Sequence, residues 1–257
     1  MTAMQIYRAH RVVSADRGGS SWPVLIETDA GVFYTKLRGA GQAPASLVSE
    51  IIVGELADAL ELPVPARVLI NIPPAVRTDD RDDELARLLR WSIGRNLGFQ
   101  LLSNARSFKP VDVSQVDLEL ASKIVWLDGL VQNPDRTVQN PNLLWSHGQL
   151  WLIDHGACLG FQHRWLAVTE ETPRANWQVR GHLLRSRATR LSIVDDGLAA
   201  RLRRGVLEAA LEAVPDDFLA DEGAEAKRRR RAAYVAFLWK RLKFPRPFVP
   251  ADAFAAG

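Results

Sequence analysis

Two short stretches constrain this chain more than anything else in it: NPDRTVQNPNLLW at 133–145 and LIDHG at 152–156. Asp135 stands five residues before Asn140, and Asp154 fourteen residues after it. Residues 142–145 and 149–153 read as two strands around a His147-Gly148 turn. A short loop followed by a two-strand return brings all three side chains to one end of one unit. Phosphoryl transfer uses these groups in this order: a carboxylate that takes the acceptor hydroxyl's proton, an amide oxygen on the metal, then a second metal carboxylate.

Asp135 therefore reads as the general base. Asn140 offers a neutral oxygen to Mg²⁺ and Asp154 a charged one, with waters and phosphates filling the remaining positions of a hard cation. Asn142 is a rival for the Asn140 role. Asp154 ends an apolar run, Leu150 to Ile153, so a buried strand would deliver it to a cleft, and Gly156 would let the chain bend there. Lys36 lies in an otherwise apolar strand, where a buried lysine needs a partner and where it would reach nucleotide phosphates. Glu50, one turn into the next helix, is the preferred partner, with Glu55 the rival; about 140° of helix separates the two. Gly18, Gly19, Ser20 and Ser21 could cradle phosphates with backbone N–H groups, although they suit a plain hairpin turn equally well. None of the five histidines has zinc spacing, and His155 is expected to line the cleft.

The surrounding pattern gives these residues a frame. Strands are expected at 5–13, 23–28, 32–37, 66–72 and 93–102. Ser46 is the expected N-cap of a helix carrying Val48, Ile52 and Leu56, stopped by Pro63. A second short helix is expected over 85–91. Ser114 with Asp117 suggests a capping-box start to a helix that ends near Val131, before Pro134. Helices are expected at 195–214 and 223–243. The expectation is an α+β chain of two lobes: an antiparallel-sheet N-lobe over 1–102, and a mainly helical C-lobe over 103–257. A nucleotide would lie in the cleft between them.

Composition narrows the setting. No run approaches the ~20 apolar residues that cross a bilayer, so no membrane partner is expected. The N-terminus has no signal-like apolar stretch. Cys158 is alone and cannot form an internal disulfide, which favours a reducing, cytoplasmic location. Net charge is only +3, but residues 174–190 hold five arginines and no acid, and 227–231 is a basic block. These read as solvated helix faces; a nucleic-acid or acidic partner is the less favoured reading.

The motifs together resemble the HipA-like kinases, a bacterial branch of the protein-kinase-like superfamily. The resemblance rests on residues 135–144 and 152–156, and more weakly on GGSSWP at 18–23, TKL at 35–37, SEII at 49–52 and LPVP at 62–65. It implies ATP and Mg²⁺ as cofactors and transfer of the γ-phosphoryl group to a protein serine or threonine. Asp135 is then the base, Asn140 and Asp154 the metal ligands, and Lys36 the phosphate contact. Ser20 and Ser21 become candidates for autophosphorylation. The Asp-Arg opening is also similar to a lipid-kinase loop, but Thr137 stands where that loop has His, and His155 replaces the middle Phe of Asp-Phe-Gly. The chain is much shorter than the full-length HipA toxins and reads without their extra N-terminal subdomain, so no toxin role or antitoxin partner is carried over. A lipid or small-alcohol kinase, and a nucleotide-binding pseudokinase or nucleic-acid-associated module, remain the alternatives.

Overall fold

The computed structural model describes residues 4–15, 22–41, 44–177, 181–219 and 223–250. The chain is α+β. Its first part holds β1 (Ile6–Ala15), β2 (Val24–Thr28), β3 (Gly31–Lys36), α1 (Ala45–Ala59), β4 (Arg67–Ile72), β5 (Arg77–Thr78), α2 (Asp83–Trp91) and β6 (Gly94–Gln100). Its second part holds β7 (Arg106–Ser107), α3 (Leu118–Leu130), β8 (Leu143–Ser146), β9 (Gln149–Leu152), α4 (Leu191–Arg201), α5 (Arg204–Glu212) and α6 (Ala224–Arg241). Among the described residues no helix is long and apolar enough to cross a membrane.

The expectation of an antiparallel sheet in the first part needs correction. Five strands close into a ring in the order β1-β2-β3-β6-β4, and β4 returns to β1 in parallel. β5 also joins β1 in parallel. Closure depends on β1, which is long enough to pair with three strands. Its register with β2 shifts between Ala9 and Arg11 and again between Val12 and Ser14, and such irregularities bend a strand away from a flat sheet.

Alternation along the strands separates two cores. Val68, Ile70 and Ile72 of β4 point into the ring with Ala9, Val12 and Ile26, and α2 covers them with Leu85, Leu88 and Leu89. Leu69 and Leu97 point outward and join a larger core with α1, α3 and the helices that follow. α1 is buried on nearly every side because it is wedged between the ring and the second part. Lys36 pairs in register with Leu97, which pairs with Leu69, so Lys36 also faces outward, toward α1.

Three local expectations are revised. α1 begins at Ala45 with no side-chain cap, so Ser46 is not its N-cap. α3 is capped by Asp117, whose carboxylate accepts from Glu119 N and Leu120 N, both at 2.9 Å, while Pro110–Gln115 forms a separate 3-10 turn. The single helix expected at 195–214 is two, because Leu202 is driven into the core and Arg203 is extended.

Candidate active site

Three elements meet at Lys36. It closes β3, Glu50 comes from α1, and Asp154 follows β9. Lys36 Nζ donates to Glu50 Oε1 and to Asp154 Oδ1, the latter at 2.7 Å. Glu50 Oε2 accepts from His155 N at 3.0 Å, which ties the helix to the turn after β9. Glu55 instead holds Arg67 at 2.8 Å, so Glu50 is the partner of Lys36. The Glu50 side chain is wholly buried, while that of Asp154 is 43% exposed and opens toward solvent.

Burial opposes charge on Lys36, but the carboxylates of Glu50 and Asp154 outweigh it and raise the ammonium above its usual range. Burial likewise opposes ionisation of Glu50, yet Lys36 and the contacts with His155 hold its carboxyl well below the carboxylate range. The pair is charged through the neutral range. Cys158 is different: burial pushes its thiol well up, so it stays protonated and is no nucleophile.

Asp154 adopts φ +55°, a left-handed conformation unusual for a residue other than glycine. The bend expected at Gly156 therefore falls on Asp154 itself. Gly156 serves close approach instead: a Cβ there would sit 3.2 Å from Ser46 Cβ and 3.5 Å from Glu50 Oε1.

The ion-paired cluster lines a cavity of about 400 Å³. Tyr34, Phe99, Leu101, Leu144 and Leu152 form its apolar walls, and the Phe99 ring centroid lies 5.9 Å from Lys36 Nζ. Apolar walls in the same cavity as a cation and a carboxylate suit a flat base joined to a polyphosphate. Tyr34, Phe99 and Arg67 are cross-strand neighbours on the outward face. Sequence reasoning missed this row because register joins residues far apart in the chain.

The loop 133–142 is closed on itself. Asp135 N donates to Asn133 Oδ1 at 2.9 Å. Asp135 Oδ2 accepts from Asn140 Nδ2 at 2.8 Å and from Asn142 Nδ2 at 3.2 Å. Thr137 bridges the loop, taking Asn140 N on its hydroxyl at 3.1 Å and giving its own N–H to Asn140 O at 3.0 Å. Ile153 N donates to Asn142 O at 3.1 Å, which sets this loop beside the residue preceding Asp154. Asp135, Asn140 and Asn142 are thus one cluster, and Lys36, Glu50 and Asp154 another, joined through Asn142 and Ile153. Gly18, Gly19, Ser20 and Ser21 lie outside the described residues.

The donor set fits Mg²⁺. With its amide nitrogen on Asp135, Asn140 has its oxygen left for a cation, and Asp154 supplies a carboxylate. Among the described residues no group of three or more His, Cys, Asp or Glu could hold a metal. A hard cation that keeps its waters and arrives with phosphates needs no such group.

Residues 10–228 match the family described as HipA-like kinase. The crystal structure of a Helicobacter pylori proinflammatory kinase, CtkA, superposes with a TM-score of 0.62 at 11% sequence identity, covering 99% of each chain. No curated protein sequence matches.

Proposed function

The chain belongs to the HipA-like kinase family, and we propose that it transfers the γ-phosphoryl group of ATP, with Mg²⁺, to a protein serine or threonine. It would work as two lobes, 1–102 and 103–257, with ATP between them. The observation that carries this reading is the joining of Lys36, Glu50 and Asp154 in the lining of the cavity, one hydrogen bond removed from the Asp135 loop.

In this reading the apolar walls take the base and Lys36 takes the phosphates. Asp154 and Asn140 would hold Mg²⁺, which supplies charge neutralisation between the phosphates. Asp135 orients the acceptor hydroxyl and accepts its proton as the new O–P bond forms. The bond between the γ-phosphorus and its bridging oxygen breaks, and ADP leaves. Most of the rate gain would come from position and charge. A protein acceptor is favoured because Val138, Gln139 and Asn140 beside the base are exposed, leaving room for a chain to lie across them.

γ-labelled ATP incubated with the protein, Mg²⁺ and cell lysate tests this. Label is expected in protein bands and lost in Asp135→Asn, by about 10²–10⁴-fold if the carboxylate acts as base. Label confined to a lipid or small-molecule extract would replace the protein acceptor with a small alcohol. Undiminished labelling by Asp135→Asn would remove the base.

A further inference from the structure

Asp128, in the last turn of α3, takes no part in the chemistry above, yet it is wholly buried and bonded to three side chains. It accepts from Asn133 Nδ2 at 2.7 Å, from Arg136 Nε at 2.6 Å and Nη2 at 3.3 Å, and it pairs with His182 Nε2 at 2.9 Å. Leu184 N donates to His182 Nδ1 at 3.0 Å. That nitrogen is an acceptor, so the ring proton is on Nε2 and points at Asp128.

Two bonded paths lead from Asp128 to Asp135. Asn133, held by Asp128 through its nitrogen, receives Asp135 N on its oxygen at 2.9 Å. Arg136, held through Nε and Nη2, gives Nη1 to Asn142 O, and Asn142 Nδ2 reaches Asp135 Oδ2 at 3.2 Å. The loop is therefore gripped on both sides of the proposed base. The third partner comes from a different segment. Leu183 N donates to Arg136 O at 3.0 Å, and Trp177 Nε1 to Asn133 O at 3.2 Å, so Trp177 and residues 182–184 hold the loop against Asp128.

We propose that Asp128 and His182 are positioning residues that set Asp135 through Arg136 and Asn133, so that the loop is assembled by an internal carboxylate and needs no phosphate to order it. This rests on Asp135 being the base. Kinases switched by phosphorylation order a segment through new pairs between arginine and the phosphate. Here the loop arginine is wholly buried and donates to Asp128 and Asn142 O, so a phosphate could reach it only by breaking those bonds.

The test compares phosphatase-treated wild type, His182→Ala and His182→Gln, reading kcat, KM for ATP, and hydrogen exchange at the amides of Asp135 and Thr137. Gln can still donate to Asp128. Wild type is expected to keep its turnover after phosphatase. His182→Ala is expected to lower kcat about 100-fold, the scale of a small misplacement of reacting groups, with KM for ATP unchanged and both amides exchanging faster. His182→Gln recovers part of both effects. Asp128→Asn, which keeps the side chain's shape, should follow His182→Ala. A His182→Ala protein with wild-type kcat and loop exchange overturns the proposal, and so does a wild type silenced by phosphatase. If instead Asp135→Asn keeps full turnover, the base assignment fails, and loop exchange alone decides whether Asp128 and His182 order the loop.

Discussion

At the scale of single residues the site depends on charges that burial forces to pair. Lys36 and Glu50 are nearly free of solvent, so removing Glu50 leaves the buried Lys36 with only the half-exposed Asp154 as its counter-ion. Glu50→Ala is expected to destabilise the protein by about 3–5 kcal/mol and to weaken ATP binding. Thermal unfolding checks the first part, and an unchanged Tm would mean that Asp154 alone is enough to hold the Lys36 charge. The pairing was legible because a lysine in an apolar strand requires a carboxylate. The choice between Glu50 and Glu55 was settled by Arg67, which occupies Glu55. Asp128 was not recognised, although a carboxylate inside Trp126-Leu127-Asp128-Gly129-Leu130 needs a partner for the same reason. Its His182 lies 54 residues further on, beyond any local pattern.

At the scale of elements, alternation and breaker residues located most strands and helices, but not how the strands join. A parallel return from β4 to β1 leaves no local mark, so the ring read as an open antiparallel sheet. β6 carries one trace of it. Gly98 pairs with Val68 inside the ring, and a Cβ there would lie 2.7 Å from Ile70 Cγ1 and 2.9 Å from Val68 Cγ2. Gly98→Ala is expected to lower stability by about 1–3 kcal/mol through overpacking, which exceeds the ~0.4–1 kcal/mol that stiffening the unfolded chain returns. A shift of the urea midpoint to lower concentration with an unchanged slope would show it. A variant as stable as wild type would mean that the ring has slack. Helix starts were misplaced where a stronger cap competed, as Asp117 does with Ser114.

At the scale of the whole molecule, pH reports the buried charges together. Burial opposes ionisation of Asp128, but Arg136 and His182 hold its carboxyl well below the usual range, as Lys36 does for Glu50. Each carboxyl ionises more readily folded than unfolded. Its stabilisation is therefore present above about pH 4 and is lost as pH falls toward the folded value. Lys36 is the mirror case: its contribution is present below about pH 10 and lost as pH rises through its raised folded value. Urea unfolding should give similar stability across the neutral range and a clear loss by about pH 3. Equal stability at pH 3 and pH 7 would mean that these carboxyls are not held ionised. The order of strands first and helices later was legible along the chain. The way α1 joins the core of the second part was not, because a helix buried on all sides looks the same whatever covers it. The most direct test of the central claim is to measure ATP binding, with and without Mg²⁺, beside γ-phosphoryl transfer in wild type, Asp135→Asn and Asp154→Asn. The account predicts Mg²⁺-dependent binding in wild type, binding without transfer in Asp135→Asn, and loss of the Mg²⁺ dependence in Asp154→Asn. Full transfer by Asp135→Asn, or wild-type binding indifferent to Mg²⁺, would contradict it.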